Sequence, residues 1–239
     1  MQLLVSVQNA EEARAACAGG AGIIDAKDPG RGALGPVTRV VLREIRDAVA
    51  ADVPVSAALG DVASPSELEQ ALSGLPDGLA FIKLGFRGVA HTVLVGELLA
   101  DAVKCVSQSP PGPRVVAVAY ADWREVGGLA PEAFPAIIER AGAHGLLVDT
   151  ALKDGRTLPD HLPADDLIAL GSSLSVRGLT YALGGSLTPR DIPLARASGA
   201  GIIGVRGAVT VGGRAGAVDV ARVAAFASAV RASAEPSLR

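Results

Sequence analysis

Eight short apolar runs punctuate the chain: Leu3–Val7, Gly22–Asp25, Pro54–Leu59, Leu79–Leu84, Val115–Tyr120, Gly145–Asp149, Thr180–Leu183 and Gly201–Val205. Each is about as long as a strand, nearly continuous in apolar residues, and bounded by Gly, Pro or polar residues. An alternating run would leave one sheet face in water. A continuous run needs cover on both faces, the condition of a parallel sheet wrapped by helices.

Helix signals fill the intervals. Asn9-Ala10-Glu11-Glu12 is a capping-box pattern, and Gly19-Gly20 ends the helix it opens. Ser64-Pro65-Ser66-Glu67 supplies an N-cap, a Pro at the first helical position and a Glu at the third. Thr188-Pro189-Arg190-Asp191 repeats the pattern with Asp in the Glu place. Val37, Val40, Val41 and Ile45 recur at helical spacing. Further helices are expected over His91–Val106, Pro131–Ala141, Ala164–Ser175 and Ala217–Val230. Eight strands alternating with eight helices in 239 residues predict an α/β fold, a (β/α)8 TIM barrel forming one domain over residues 1–239. A doubly wound open sheet is the competitor. Gly19-Gly20-Ala21-Gly22 argues against it, because a dinucleotide fingerprint follows a strand and these glycines precede one.

Composition narrows the class. The chain is 49% hydrophobic but only 3% aromatic, so small aliphatic side chains must build the core. A net charge of −3 without a basic tract argues against nucleic acid as a partner. No apolar run approaches the roughly 18 residues that span a bilayer. Met1-Gln2-Leu3-Leu4 lacks the basic start of a secretory signal. Cys17 and Cys105 are too few and too far apart for a metal site or a disulfide framework. The expectation is a cytoplasmic protein with no metal and no cofactor. Self-association through the Ala/Val-rich last helix stays open.

Lysine usage points to chemistry. Only Lys27, Lys83, Lys104 and Lys153 occur, against 18 arginines. Three of the four sit at or just after the end of an apolar run. Lys offers what Arg does not, an amine able to lose its proton and attack a carbonyl. In a barrel, catalytic groups sit at the C-terminal strand ends. That rule collects Asp25 and Lys27 after the second run, Lys83 on the fourth, and Asp149 with Lys153 after the sixth. Asp61, Tyr120 and Asp122 occupy similar places. Each alone has a bland reading: Asp149 and Asp122 as caps, Asp61 as a loop cap, a single Lys as a salt-bridged strand end. Several ammonium groups in one mouth lower one another's pKa, and burial adds to this. One amine can then be neutral near pH 7 and fit for imine formation, while carboxylates hold another charged as a proton donor.

The last two runs carry a different signal. Leu183-Gly184-Gly185-Ser186 and Gly204-Val205-Arg206-Gly207 match the loops that often hold phosphate in barrels. Gly184, Gly185, Ser186, Gly204 and Gly207 let backbone N–H groups approach an oxyanion, and Arg206 would add a charged fork. The bland reading is a pair of tight turns. His91, His144 and His161 read as peripheral, Cys17 and Cys105 as helix packing residues, and Trp123 as lining the mouth or covering the loop.

The chain resembles the (5-formylfuran-3-yl)methyl phosphate synthases, also called 4-(hydroxymethyl)-2-furancarboxaldehyde-phosphate synthases. Carrying the likeness are Leu3-Leu4-Val5-Ser6, Ile23-Ile24-Asp25-Ala26-Lys27-Asp28-Pro29 with Gly32-Ala33-Leu34-Gly35, and Val55-Ser56-Ala57 with Gly60-Asp61-Val62. So do Ile82-Lys83-Leu84-Gly85, Tyr120-Ala121-Asp122, the stretch from Asp149 through Lys153 to Leu158, and Gly204-Val205-Arg206-Gly207-Ala208. The resemblance implies a (β/α)8 fold that joins two molecules of glyceraldehyde 3-phosphate into a furan phosphate. It implies Lys27 as the Schiff-base residue and Lys83 as the proton carrier. Asp25, Asp149 and Lys153 match the family's other active-site positions. In methanogens the route leads to methanofuran, and relatives occur in bacteria that make other furans. The expected partner is thus a small phosphorylated substrate. Another imine-forming aldolase that keeps both phosphates is the nearest alternative, and a barrel that only binds a phosphorylated metabolite is the other.

Overall fold

The structure, a computed structural model, describes residues 1–108 and 111–232. Eight parallel strands close on themselves in sequence order. They are β1 (Gln2–Val7), β2 (Ile23–Ala26), β3 (Val55–Asp61), β4 (Phe81–Gly85), β5 (Arg114–Tyr120), β6 (Gly145–Asp149), β7 (Thr180–Leu183) and β8 (Ile202–Val205). β8 pairs parallel with β1, Val205 beside Val5, so the barrel sheet closes without a free edge. The eight apolar runs are these eight strands, within a residue or two at their ends, and the open sheet is excluded.

The helices follow the capping signals. They are α1 (Ala10–Ala18), α2 (Arg39–Asp47), α3 (Pro65–Leu72), α4 (Thr92–Val106), α5 (Trp123–Val126), α6 (Phe134–Ala141), α7 (Leu158–His161), α8 (Ala164–Val176), α9 (Ile192–Ala197) and α10 (Val220–Ala232). Asn9 accepts the Glu12 N–H and Ser64 accepts the Glu67 N–H, contacts that each stabilise a helix start by about 1 kcal/mol. α2 corrects one detail. Its buried positions are Leu42 and Ile45, each worth about 1.5–3 kcal/mol when removed from water, while Val40 faces solvent. The chain also makes something the apolar pattern does not predict. Thr210–Val211 and Ala217–Val218 pair antiparallel, so the segment after β8 folds back as a small hairpin before α10 begins. The final helix therefore starts three residues later than its Ala217 signal.

Two hydrophobic layers result. One lies between the strands and their helices and includes Val5, Ile24, Ile82, Leu99, Ile138 and Phe226. The other lies inside the barrel and includes Ala58, Val116, Val118, Leu147 and Ala182. The scarcity of aromatics has its consequence here. Several inward positions are as small as Ser6, Ser56, Ala182, Gly184 and Gly204, and the interior is not filled. A cavity of about 340 Å³ runs from the loops after β7 and β8 down to Ile23, Phe81, Leu147 and Ile202. Among the described residues no helix is long and apolar enough to cross a membrane.

Candidate active site

Strand alternation brings the basic and acidic residues to one place. Lys27, Lys83, Asp149 and Lys153 all line the cavity, and Asp25 lies beside it, fully buried. Lys104 is exposed on α4, outside this group.

Lys83 and Asp25 form a buried ion pair, Nζ to Oδ1 at 2.7 Å. The strands that carry them are not neighbours, because β3 lies between. Ala58 is the β3 residue in register with Lys83, and Ser56 the one in register with Asp25. These small side chains leave room for the lysine to reach across. On the other side the Ser6 hydroxyl donates to Asp25 Oδ2 at 2.9 Å. Ser56 Oγ is buried in the cavity wall with no partner among the described residues.

Asp149 and Lys153 form the second pair, 3.1 Å apart, and Lys153 also donates to Thr150 Oγ1 at 2.9 Å. Asp149 Oδ1 further accepts the Thr150 N–H. Burial opposes the charge on Asp149, but Lys153 and Lys27 outweigh it, and the carboxyl sits well below the usual carboxylate range. The loop that bears Lys153 is held from β5. Asp122 accepts the N–H groups of Ala151 at 2.8 Å and Leu152 at 2.7 Å. Asp122 thus caps this loop.

Lys27 stands between the two pairs. Its backbone N–H continues the β1–β2 ladder to Val7, and its Nζ has no hydrogen-bond acceptor among the described residues. Burial depresses its pKa to about 8, with Lys83 and Lys153 adding to the effect and Asp149 and Asp25 opposing it. Roughly a tenth of the molecules then carry a neutral Lys27 at pH 7, against about one in three thousand for an ordinary lysine.

The loops after β7 and β8 line the upper cavity with Gly184, Gly185, Ser186, Gly207 and Ala208, and Gly204 lines it from within β8. Gly185 has φ +92° and Ser186 has φ +59°, the one non-glycine in that region among the described residues. Such a conformation costs a serine about 1–2 kcal/mol, and strain of this kind gathers at ligand sites. The N–H groups of Gly185, Ser186, Gly207 and Ala208 find no protein acceptor among the described residues.

Arg206 requires a correction. Its guanidinium is buried and all of its donors are occupied. Nη1 donates to Ser6 O and Glu12 Oε2, Nη2 to Glu12 Oε1 and Gly216 O, and Nε to Arg214 O. It has no fork left for a phosphate. The residue that pattern reading missed is Arg214, which lines the cavity from the hairpin after β8.

The remaining candidates are peripheral to this cavity. Tyr120 donates to Asp61 at 2.7 Å, and both line a separate hollow beside Gly60 and Arg87. His144 meets Thr180 Oγ1 where β7 begins, at the opposite end of the barrel. Trp123 is not in the cavity wall, and Arg124 stacks on its ring at 4.3 Å. Cys17 is half-buried against the core, but Cys105 is exposed rather than packed.

Comparison with known proteins places the chain in a family. The 4-HFC-P synthase family profile matches residues 3–227. The (5-formylfuran-3-yl)methyl phosphate synthase of Methanocaldococcus jannaschii is 39% identical over 215 residues, 89% of this chain and 92% of that protein. The enzyme of the same name from Methanopyrus kandleri is 40% identical over 209 residues, 87% of this chain and 88% of its own. Solved structures add the fold alone. A 3-hexulose-6-phosphate synthase superposes with TM-score 0.61 at 18% identity, covering 97% of this chain and 99% of the other. The N-(5'-phosphoribosyl)anthranilate isomerase of Pyrococcus furiosus does so with TM-score 0.63 at 14% identity, with 97% and 99% covered. With its family profile matched over nearly the whole length and with relatives at about 40% identity, the chain belongs to the 4-HFC-P synthase family.

Proposed function

We propose that this protein condenses two molecules of glyceraldehyde 3-phosphate, through an imine on Lys27, into (5-formylfuran-3-yl)methyl phosphate. The observation that carries the reading is the state of Lys27: an amine in a cavity wall, without a hydrogen-bond acceptor and with its pKa brought down to about 8. A neutral amine is what attack on a carbonyl requires. Membership of the 4-HFC-P synthase family supports this product over those of other imine-forming reactions.

The chemistry asks little beyond this cavity. One triose phosphate is enolised to its ketone isomer, which needs a paired acid and base. Lys83 with Asp25, in contact at 2.7 Å, supplies them. Lys27 attacks the aldehyde of the other triose, water leaves, and the imine loses its C2 proton to give an enamine. The enamine expels the phosphate from C3, and the terminal enol carbon so formed adds to the ketone carbonyl of the isomerised triose, which sets the branched carbon skeleton of the product. Water then releases the aldehyde from Lys27, the primary hydroxyl closes the ring on the remaining ketone, and loss of two waters gives the furan. Two triose phosphates less one phosphoric acid and two waters leave a six-carbon furan monophosphate, with no net oxidation or reduction. Asp149, with Lys153, lies close enough to Lys27 to hold its positive charge once the imine is protonated. Gly184, Gly185, Ser186, Gly204 and Gly207 offer a cradle for a substrate phosphate.

Borohydride trapping with glyceraldehyde 3-phosphate, followed by mass mapping, tests the covalent step. The expected adduct is on Lys27. An adduct elsewhere, or none, sinks the assignment. Release of inorganic phosphate together with an ultraviolet chromophore separates this reaction from an aldolase that keeps both phosphates.

A further inference from the structure

The cradle of free N–H groups after β7 and β8 lacks a cation if Arg206 is spent on Glu12, Ser6 and the hairpin carbonyls. The hairpin itself supplies one. Arg206 Nε donates to Arg214 O at 2.7 Å and Nη2 to Gly216 O at 3.0 Å. Thr210 Oγ1 donates to Gly213 O at 2.6 Å. These contacts fix the backbone on both sides of Arg214, whose own backbone lies against Gly207.

The Arg214 side chain is half-buried and forms part of the cavity wall. Its Nη2 donates to Gly32 O at 2.7 Å, in the loop that follows Lys27, so the guanidinium bridges the mouth from the β8 side to the β2 side. A guanidinium has five N–H donors. The others meet no acceptor among the described residues, and no carboxylate forms an ion pair with Arg214. Asp149 is the acidic group that acts on it at longer range, and Arg206 the basic one. A held, partly desolvated cation beside four free backbone amides calls for an anion with several oxygens, not a single carbonyl.

We propose that Arg214 binds the phosphate of the substrate together with the N–H groups of the loops after β7 and β8, and that Arg206 is the positioning residue that holds Arg214 in place. The proposal rests on the reading of the substrate as a phosphate ester, and its test does not depend on turnover. Titration calorimetry with inorganic phosphate, and separately with sn-glycerol 3-phosphate, measures the anion site directly, with glycerol as the phosphate-free control. Arg214→Gln keeps a donor for Gly32 O and removes the charge. Binding of both phosphates should fall roughly tenfold or more in this variant and recover in large part in Arg214→Lys. Glycerol should not bind detectably to any of the three proteins. Undiminished phosphate affinity in Arg214→Gln, or no phosphate binding by the wild type, overturns the proposal.

A second measurement covers the case of a variant that does not fold. Phenylglyoxal labels wild-type arginines, and inorganic phosphate should protect Arg214 while leaving the exposed Arg87 unprotected. Absence of protection at Arg214 overturns the proposal equally. The two readings fail separately. Arg214-dependent phosphate binding without furan formation leaves the anion site standing and removes the triose reaction. Furan formation with wild-type phosphate affinity in Arg214→Gln does the reverse.

Discussion

Lys83 crosses over Ala58 to place its ammonium 2.7 Å from Asp25, and both side chains are almost wholly withdrawn from water. An ion pair so buried contributes little to stability for its cost, since desolvation offsets most of the attraction. Its proposed value is chemical: a donor and an acceptor are fixed beside Lys27 before any substrate arrives. Lys83→Met should therefore separate two steps. Borohydride should still trap an adduct on Lys27, while furan formation drops by about 10²–10⁴-fold. Parallel trapping and chromophore assays check this, and equal loss of both would remove the proton-carrier role.

The charges around Lys27 set a pH dependence of definite sign. The reactive form is the neutral amine, so reactivity rises with pH and levels off above about 8. Competitive acetylation with trace acetic anhydride, read by mass mapping at Lys27, should increase roughly tenfold between pH 7 and pH 9. Asp149 stabilises the ammonium, so Asp149→Asn should move the inflection to lower pH. Lys153 opposes the ammonium and also occupies Asp149, so Lys153→Met should move it to higher pH. An inflection above pH 10 in the wild type would show that Lys27 is an ordinary surface-like amine.

Much of this arrangement was legible in the sequence, for a physical reason. A strand buried on both faces must be continuously apolar, so runs such as Leu146–Asp149 and Ile202–Val205 announce themselves, and polar residues at their ends fall at one mouth. The placement of Lys27, Lys83, Asp149 and Lys153 follows from that rule. The pairings do not. Asp25 and Lys83 meet only because β3 carries Ser56 and Ala58 between them, a fact of three-dimensional register. The clamp formed by Arg206 is not legible for a related reason. Its partner Glu12 is 194 positions away and already had a local explanation as a capping residue. Arg214 carries no sequence signal, because Gly212-Gly213-Arg214 has no apolar pattern and the hairpin strands beside it are two residues each.

Asp122 is a positioning residue for the loop that bears Lys153. Each of its oxygens accepts one N–H, from Ala151 and Leu152. Asn offers one acceptor and turns two donors toward the other N–H. Asp122→Asn should therefore destabilise the fold by about 1–3 kcal/mol. The amides of Ala151 and Leu152 should exchange faster than those of β6, and denaturant titration with hydrogen exchange reads both. Because Lys153 shifts Lys27, the Lys27 acetylation profile should change too, which a purely structural lesion elsewhere would not produce.

Glu12 and Arg206 link the beginning of the barrel to its end. The pair is bidentate and buried, and Arg206 also satisfies Ser6 O on β1 and two carbonyls of the hairpin. Hydrogen bonds from Arg206 and Gln8 lower the Glu12 pKa despite burial, which works against the charge. Removing one partner strands the other charge in the protein interior. Glu12→Gln and Arg206→Met should each cost about 3–5 kcal/mol in denaturant unfolding. Most of that cost is shared, so the double variant should lose clearly less than the sum of the singles. Strict additivity would mean that the two residues act independently, and the reassignment of Arg206 from ligand fork to structural clamp would lose its support.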